Sequence, residues 1–257
     1  MNERVTREER GELKRFFPGT RDTLLLSALE GYNGRAFENS AKSAALVVSR
    51  GFVFLGGKAQ ERFFREAAAC FPDCFLTFHG SRAWLQIARA WGAGVAMTRF
   101  AMETPEKFDE ALLSRLAVPP AGYEVRVGDA EAYGQCLAAA WSEDLASCYG
   151  DAQAFAADAL MIGAFRDGAL AAGCGVYART ADSVEIEIDT RPDCRRQGLA
   201  ACCAAAFLLQ CVRRGLRPHW DAMTPISRDL ALKLGFVRPL PYPVVCREEK
   251  TGPARSL

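Results

Sequence analysis

Glu185-Ile-Glu-Ile-Asp-Thr-Arg-Pro-Asp-Cys-Arg-Arg-Gln-Gly-Leu-Ala200 decides how this chain is read. Its first six residues alternate charged or polar with apolar, as in a strand with one buried face. A short loop holding Arg195-Arg-Gln-Gly-Leu-Ala200 then runs directly into a helix. The first amides of a helix have no internal partners and carry the positive end of its dipole, so they hold an anion. Gly198 and Ala200 interpose little side chain, and Arg195 and Arg196 add positive charge beside the same amides. The spacing Arg-x-x-Gly-x-Ala thus reads as a pyrophosphate cradle. The helix behind it, Leu199 to Val212, is apolar almost all round, which demands burial on a sheet.

Two competing phosphate chemistries fall away. A Walker A loop needs Gly-x-x-x-x-Gly-Lys, which the chain lacks, and Gly173-Cys-Gly175 sits inside a strand rather than opening a dinucleotide-binding turn.

Around this stretch the pattern is α/β. Upstream of it, Tyr123 to Val127 alternates as a strand, Glu131 to Leu145 reads as a helix, and Leu160 to Phe165 as a strand. Asp167-Gly168 then signals a hairpin into Ala171 to Ala178, followed by Val184 to Thr190. Downstream, the helix from Gly198 to Arg214 stops at Gly215, and Arg217 to Ala222 is expected to be one strand. Ser227 to Leu234 is a helix and Pro241 to Cys246 a last strand. Pro119-Pro120, inside Leu116 to Gly122, is the expected linker, dividing residues 1–118 from 119–257. The N-terminal part is expected to hold a helix capped by Thr20 or Asp22 and strands Ser43 to Ser49 and Phe52 to Leu55. Helices Gln60 to Cys70 and Ser81 to Trp91, an apolar patch Phe75 to Phe78 closed by His79-Gly80, and a strand Val95 to Met102 complete it. The charged first twenty residues are expected to be frayed or surface-bound.

Composition narrows the classes further. The 257 residues are 50% hydrophobic and 25% charged, which fits folded domains rather than disorder. Lys plus Arg is 32 against 31 for Asp plus Glu, so a nucleic-acid partner is not expected. The apolar run Leu199 to Leu209 is too short to span a bilayer, and the mixed-charge N-terminus has no apolar stretch behind it. Neither a membrane partner nor a leader is therefore expected. Ten cysteines without a Cys-x-x-Cys pair read as small buried hydrophobes in a reducing cytoplasm, with no metal site expected.

Strand alternation puts Glu185, Glu187 and Asp189 on one face, opposite Ile186 and Ile188. Mutual repulsion of three carboxylates would raise at least one pKa toward a value useful for deprotonating an ammonium. An ordinary solvated sheet face is the competing explanation. His219 reads as a structural strand residue, Asp221 as a second polar candidate, and no Ser-His-Asp or Cys-His set can be assembled from His79 and His219.

Arg195-Arg-Gln-Gly-Leu-Ala200 resembles the acetyl-CoA pyrophosphate loop of the GNAT superfamily of N-acetyltransferases. Ser227-Arg-Asp-Leu-Ala-Leu-Lys-Leu-Gly-Phe236 resembles the second signature of that superfamily, a helix ending in Leu-Gly-Phe. The phrases Glu185-Ile-Glu-Ile-Asp-Thr190 and His219-Trp-Asp-Ala222 are similar to one bacterial subgroup with an α/β N-terminal extension. Glu38-Asn39-Ser40 and Gly51-Phe52-Val53-Phe54 carry that likeness upstream. The resemblance implies an α/β (α+β) GNAT fold, with a mixed, mostly antiparallel sheet and a smaller α/β N-terminal domain.

The resemblance also implies roles. Arg195, Arg196, Gln197, Gly198, Leu199 and Ala200 would bind the pyrophosphate of acetyl-CoA. Ile188, Asp189 and Thr190 would pair their backbone with the pantetheine arm, and the segment from Thr224 to Ser227 would flank the cofactor. Glu187 is the first choice of base and Glu185 the second. Two departures stand out: Thr224 replaces the usual Asn, and Ala231 stands where many members have the Tyr that protonates the leaving thiolate. The implied reaction is direct acetyl transfer from acetyl-CoA to a primary amine of a small molecule or protein, by a cytoplasmic protein for which a homodimer stays open. The alternative is a catalytically inactive acyl-CoA-binding sensor or interaction protein.

Overall fold

In a computed structural model, residues 1–78, 81–158 and 160–247 are described, except for the side chains of 93–96 and 246–247. His79 and Gly80, expected to close the patch at Phe78, lie outside the described residues. By contact the chain forms two compact units. One is Met1–Arg99 with the C-terminal strand from Pro241, and the other is Phe100–Leu240.

In the first unit the strands Asn2–Arg4, Arg35–Glu38, Ala44–Ser49 and Phe52–Gly57 form an antiparallel run. Phe75–Thr77 then joins Phe52–Gly57 in parallel, and Val245 pairs with Leu76. Helices Glu61–Cys70 and Arg82–Ala90 bury Phe63, Phe64 and Trp84 against Leu46, Val53 and Leu55 of this sheet. Of the two alternatives expected for the first twenty residues, frayed or surface-bound, the structure shows the second. Thr6 and Glu9 form a reciprocal capping box on the helix Arg7–Glu12. Arg4 and Arg15 both pair with Glu38, whose side chain is fully buried. A buried carboxylate demands such partners, which draws the charged segment onto the unit.

In the second unit five strands lie in the order Arg217–His219, Ser183–Thr190, Ala169–Arg179, Ile162–Arg166 and Glu124–Val127. All neighbours are antiparallel except Ser183–Glu185 against Arg217–His219. Asp167 and Gly168, both at positive φ (50° and 78°), close the expected hairpin. Helix Leu199–Arg214 buries Cys203, Ala204, Phe207 and Leu208 in a core shared with Val184, Ile186 and Cys174 of the sheet. Its many Ala and Cys residues leave little bulk between helix and strands.

The division differs from 118/119 because Met102, Phe108 and Leu113 belong to this same core, with Phe108 packed edge-on against Phe236 at 5.3 Å. The chain from Pro241 leaves the unit, since Val245 sits in the first unit's core. The expected helix Glu131 to Leu145 is also shorter: Asp129 caps Ala130–Leu137, and a separate helical turn covers Glu143–Leu145. Finally, Arg217 to Ala222 is not one strand. Arg217–His219 pairs with Ser183–Glu185, whereas Asp221–Ala222 pairs with Ala101 and Phe100.

Candidate active site

The loop after strand Ser183–Thr190 takes the shape its sequence calls for. Gly198 is left-handed, at φ 83°, and forms the N-cap of helix Leu199–Arg214, with no side chain capping that terminus. Arg196 is also left-handed, at φ 64°. Neighbouring turns of this kind aim successive amides at one point, an arrangement that binds anions. Arg195, Arg196, Gln197 and Gly198 are exposed, whereas Leu199 is buried as an anchor and Ala200 half-buried. The space over Gly198 is open, since a Cβ there would touch nothing within 4 Å. These features suit the pyrophosphate of a CoA thioester.

The loop is braced by residues that the sequence did not single out. Tyr123 donates to Gln197 Oε1 at 3.0 Å and Arg166 donates to the same oxygen at 3.3 Å, while the Arg166 guanidinium lies 4.1 Å over the Tyr123 ring. Arg195 Nε donates to the Thr190 carbonyl at 3.3 Å, which ties the loop to the strand end. Arg191 is held by Asp193 at 2.7 Å.

Along the strand the three carboxylates part company. Glu185 is only 6% exposed, and its Oε1 accepts from the Asp221 amide at 3.0 Å. Glu187 is half-buried opposite Gly175, and its Oε1 accepts from the Ile188 amide at 3.2 Å. Asp189 lies opposite Gly173, and its pKa is pushed up to about 7. Burial is the main cause and the charge of Asp144 the second, with Arg195 opposing both. The expected mutual repulsion along the strand is therefore not what raises it. Ile188 packs toward the core, and Thr190 is opposite Ala172.

Gly173 and Gly175 explain how Asp144 comes near. A Cβ on Gly173 would stand 2.7 Å from Leu145 Cδ1, and one on Gly175 would stand 2.9 Å from the Leu145 carbonyl oxygen. Because these glycines face Glu187 and Asp189 across the ladder, the turn Glu143–Leu145 roofs the carboxylate face. Two glycines inside a strand were the available signal of such an approach.

The segment Thr224 to Ser227 uses its hydroxyls internally. Thr224 Oγ1 caps helix Pro225–Lys233 by accepting from the Ser227 amide at 3.1 Å, and Ser227 Oγ accepts from Trp220 Nε1 at 3.0 Å. Ala231 is fully buried. Burial pushes the thiols of Cys136 and Cys211 up to about 12, so they stay protonated and unreactive. Among the described residues no group of three metal-ligating side chains gathers, and no helix is long and apolar enough to cross a membrane.

A mixed, mostly antiparallel sheet whose one parallel pair comes apart after three rungs, followed by a left-handed glycine entry into a buried helix, is the architecture of an acyltransferase of the GNAT type. The chain belongs to the GNAT acetyltransferase family, whose model matches residues 14–245. It is similar over 93% of its length to a GCN5-related N-acetyltransferase-like protein from Streptococcus suis 89/1591. The two share 31% identity with a TM-score of 0.81, and 99% of that chain is covered. A GCN5-related N-acetyltransferase from Kribbella flavida shares the fold at 16% identity and TM-score 0.59, covering 88% of this chain and 95% of that one. One from Sphaerobacter thermophilus does so at 15% and 0.58, covering 93% and 92%. No curated protein matches the chain.

Proposed function

We propose that this protein moves an acetyl group from acetyl-CoA directly to a primary amine of a small molecule or protein. The observation that carries the reading is the uncapped, left-handed entry into helix Leu199–Arg214, flanked by exposed Arg195 and Arg196. Acetyl-CoA would supply the acetyl group activated as a thioester. Backbone amides of Arg195 to Ala200 would hold its pyrophosphate, and the strand edge at Ile188, Asp189 and Thr190 would pair with the pantetheine arm. Amides at that edge would polarise the acetyl carbonyl. Thr224 and Ser227 would flank the cofactor, and because each hydroxyl oxygen already accepts one hydrogen bond inside the protein, each is held in place with its O–H left to donate.

An ammonium must lose a proton before it attacks. Glu187, half-buried beyond the last parallel rung, is the proposed base. The nine cysteines described are all free thiols, which supports a cytoplasmic setting. The buried Ala231 favours a second reading, a protein that binds acyl-CoA without turning it over.

Calorimetry with acetyl-CoA, set against desulfo-CoA and ATP, tests the proposal. Micromolar binding that vanishes in Gly198→Glu, followed by turnover with a panel of amines, supports transfer. Binding with no acetylated amine supports the sensor, and no binding at all rejects both.

A further inference from the structure

The strand pair Ser183–Glu185 and Arg217–His219 stops abruptly after the rung Glu185 to His219. On either side of that last rung the carbonyls of Pro218, within the ladder, and Trp220, just past it, point away from strand Ser183–Thr190: Thr104 Oγ1 donates to the first at 2.6 Å, and the Met102 amide to the second at 2.9 Å. Backbone groups alternate along a strand, so His219 and Asp221 present theirs toward strand Ser183–Thr190. A continuing ladder would spend the Asp221 N–H on a backbone carbonyl of that strand. Instead the N–H donates to the side chain of Glu185 at 3.0 Å. Asp221 and Ala222 meanwhile pair with Ala101 and Phe100.

The carboxylate thus stands in the fork between the two strands. Glu185 is 6% exposed, and a buried carboxylate is held where it finds donors. The partner strand Ala169–Arg179 carries a register shift at this same level, between Glu185 and Ile186, which bends the strand at the fork.

We propose that Glu185 is a positioning residue. Its carboxylate caps the parallel ladder and keeps the edge from Glu187 to Thr190 free of a neighbouring strand, so that an acyl-CoA arm can pair with it. Proton abstraction then belongs to another carboxylate. The proposal rests on the acetyl-CoA reading above for its ligand, and on the hydrogen bond alone for its geometry.

The test compares Glu185→Gln and Glu185→Ala by site-resolved amide exchange at Asp221 and by acetyl-CoA calorimetry. Glutamine retains an acceptor oxygen, so Glu185→Gln should keep Asp221 protection and the acetyl-CoA Kd within about threefold of the parent. Glu185→Ala should lose about tenfold or more in both. Should the alanine variant not fold, Glu185→Asp, whose shorter arm falls back from the amide, takes its place with the same expectation. Unchanged protection at Asp221 in the alanine or aspartate variant overturns the proposal. So does a glutamine variant that binds as weakly as alanine, since that would make charge rather than the capped ladder the essential property. If the parent protein gives no heat with acetyl-CoA, the proposed function fails, and amide exchange still decides whether Glu185 caps the ladder.

Discussion

The Tyr123 hydroxyl donates to Gln197 Oε1 at 3.0 Å, across 74 residues of chain, and so couples the start of the second unit's sheet to the middle of the loop before helix Leu199–Arg214. Arg166 stacks on the same ring and reaches the same oxygen, which makes the three side chains one brace. Tyr123→Phe keeps the stacking and removes only the hydroxyl. Acetyl-CoA affinity by calorimetry should fall about threefold to tenfold, as for loss of one net hydrogen bond, with little change in melting temperature. Affinity equal to the parent would show that the loop holds its shape without the brace.

Gly198 separates backbone strain from charge. A Cβ there meets nothing within 4 Å, so Gly198→Ala should cost only the strain of a left-handed residue, about 1 kcal/mol by chemical denaturation. Gly198→Glu carries the same strain plus a negative charge at the cradle. It should abolish acetyl-CoA binding while unfolding at nearly the same denaturant concentration as the alanine variant.

Asp189 makes stability depend on pH in an unusual direction. Its folded pKa, about 7, lies above the ordinary carboxylate range, so between about pH 4 and 7 the folded state holds more protons than the unfolded one. Stability therefore falls as pH rises through that window, by at most about 1.4 kcal/mol per pH unit from this one group. Denaturation curves at pH 5, 6, 7 and 8 should show a decline that is weaker in Asp189→Asn. An identical pH dependence in the two proteins would remove Asp189 as its source.

Glu187→Gln tests the base. With any amine that the parent acetylates, turnover should drop about 10²- to 10⁴-fold, while acetyl-CoA binding stays as it was. A drop below about threefold would assign the proton to another group, with Asp189 the next to examine.

Much of the second unit was legible because its signals are local. The alternation in Glu185 to Thr190, the turn pair Asp167-Gly168 and the apolar helix bounded by Gly198 and Gly215 each fix their own geometry. What escaped depends on distant partners. Which of the two alternatives, frayed or surface-bound, holds for the first twenty residues follows from Glu38, a carboxylate that is buried only once the strands around it have formed. The break at Trp220 follows from Met102, more than a hundred residues upstream, which takes the Trp220 carbonyl. Glu185, Glu187 and Asp189 look alike in sequence, yet Asp221, Ile188 and Asp144 give them three different surroundings.

The turn Glu143–Leu145 rests on Gly173 and Gly175, so below its carboxylates it meets bare backbone, while Leu145 anchors it in a core shared with Phe165 and Leu170. The exposed residues Glu143 and Asp144 can therefore be exchanged without repacking a single strand side chain. Any side chain at 173 or 175 would lift the turn instead. Variation between relatives that resurfaces the carboxylate face should accordingly collect in the turn and spare the two glycines, giving selection and protein engineering a wall that can be rewritten on a foundation that cannot.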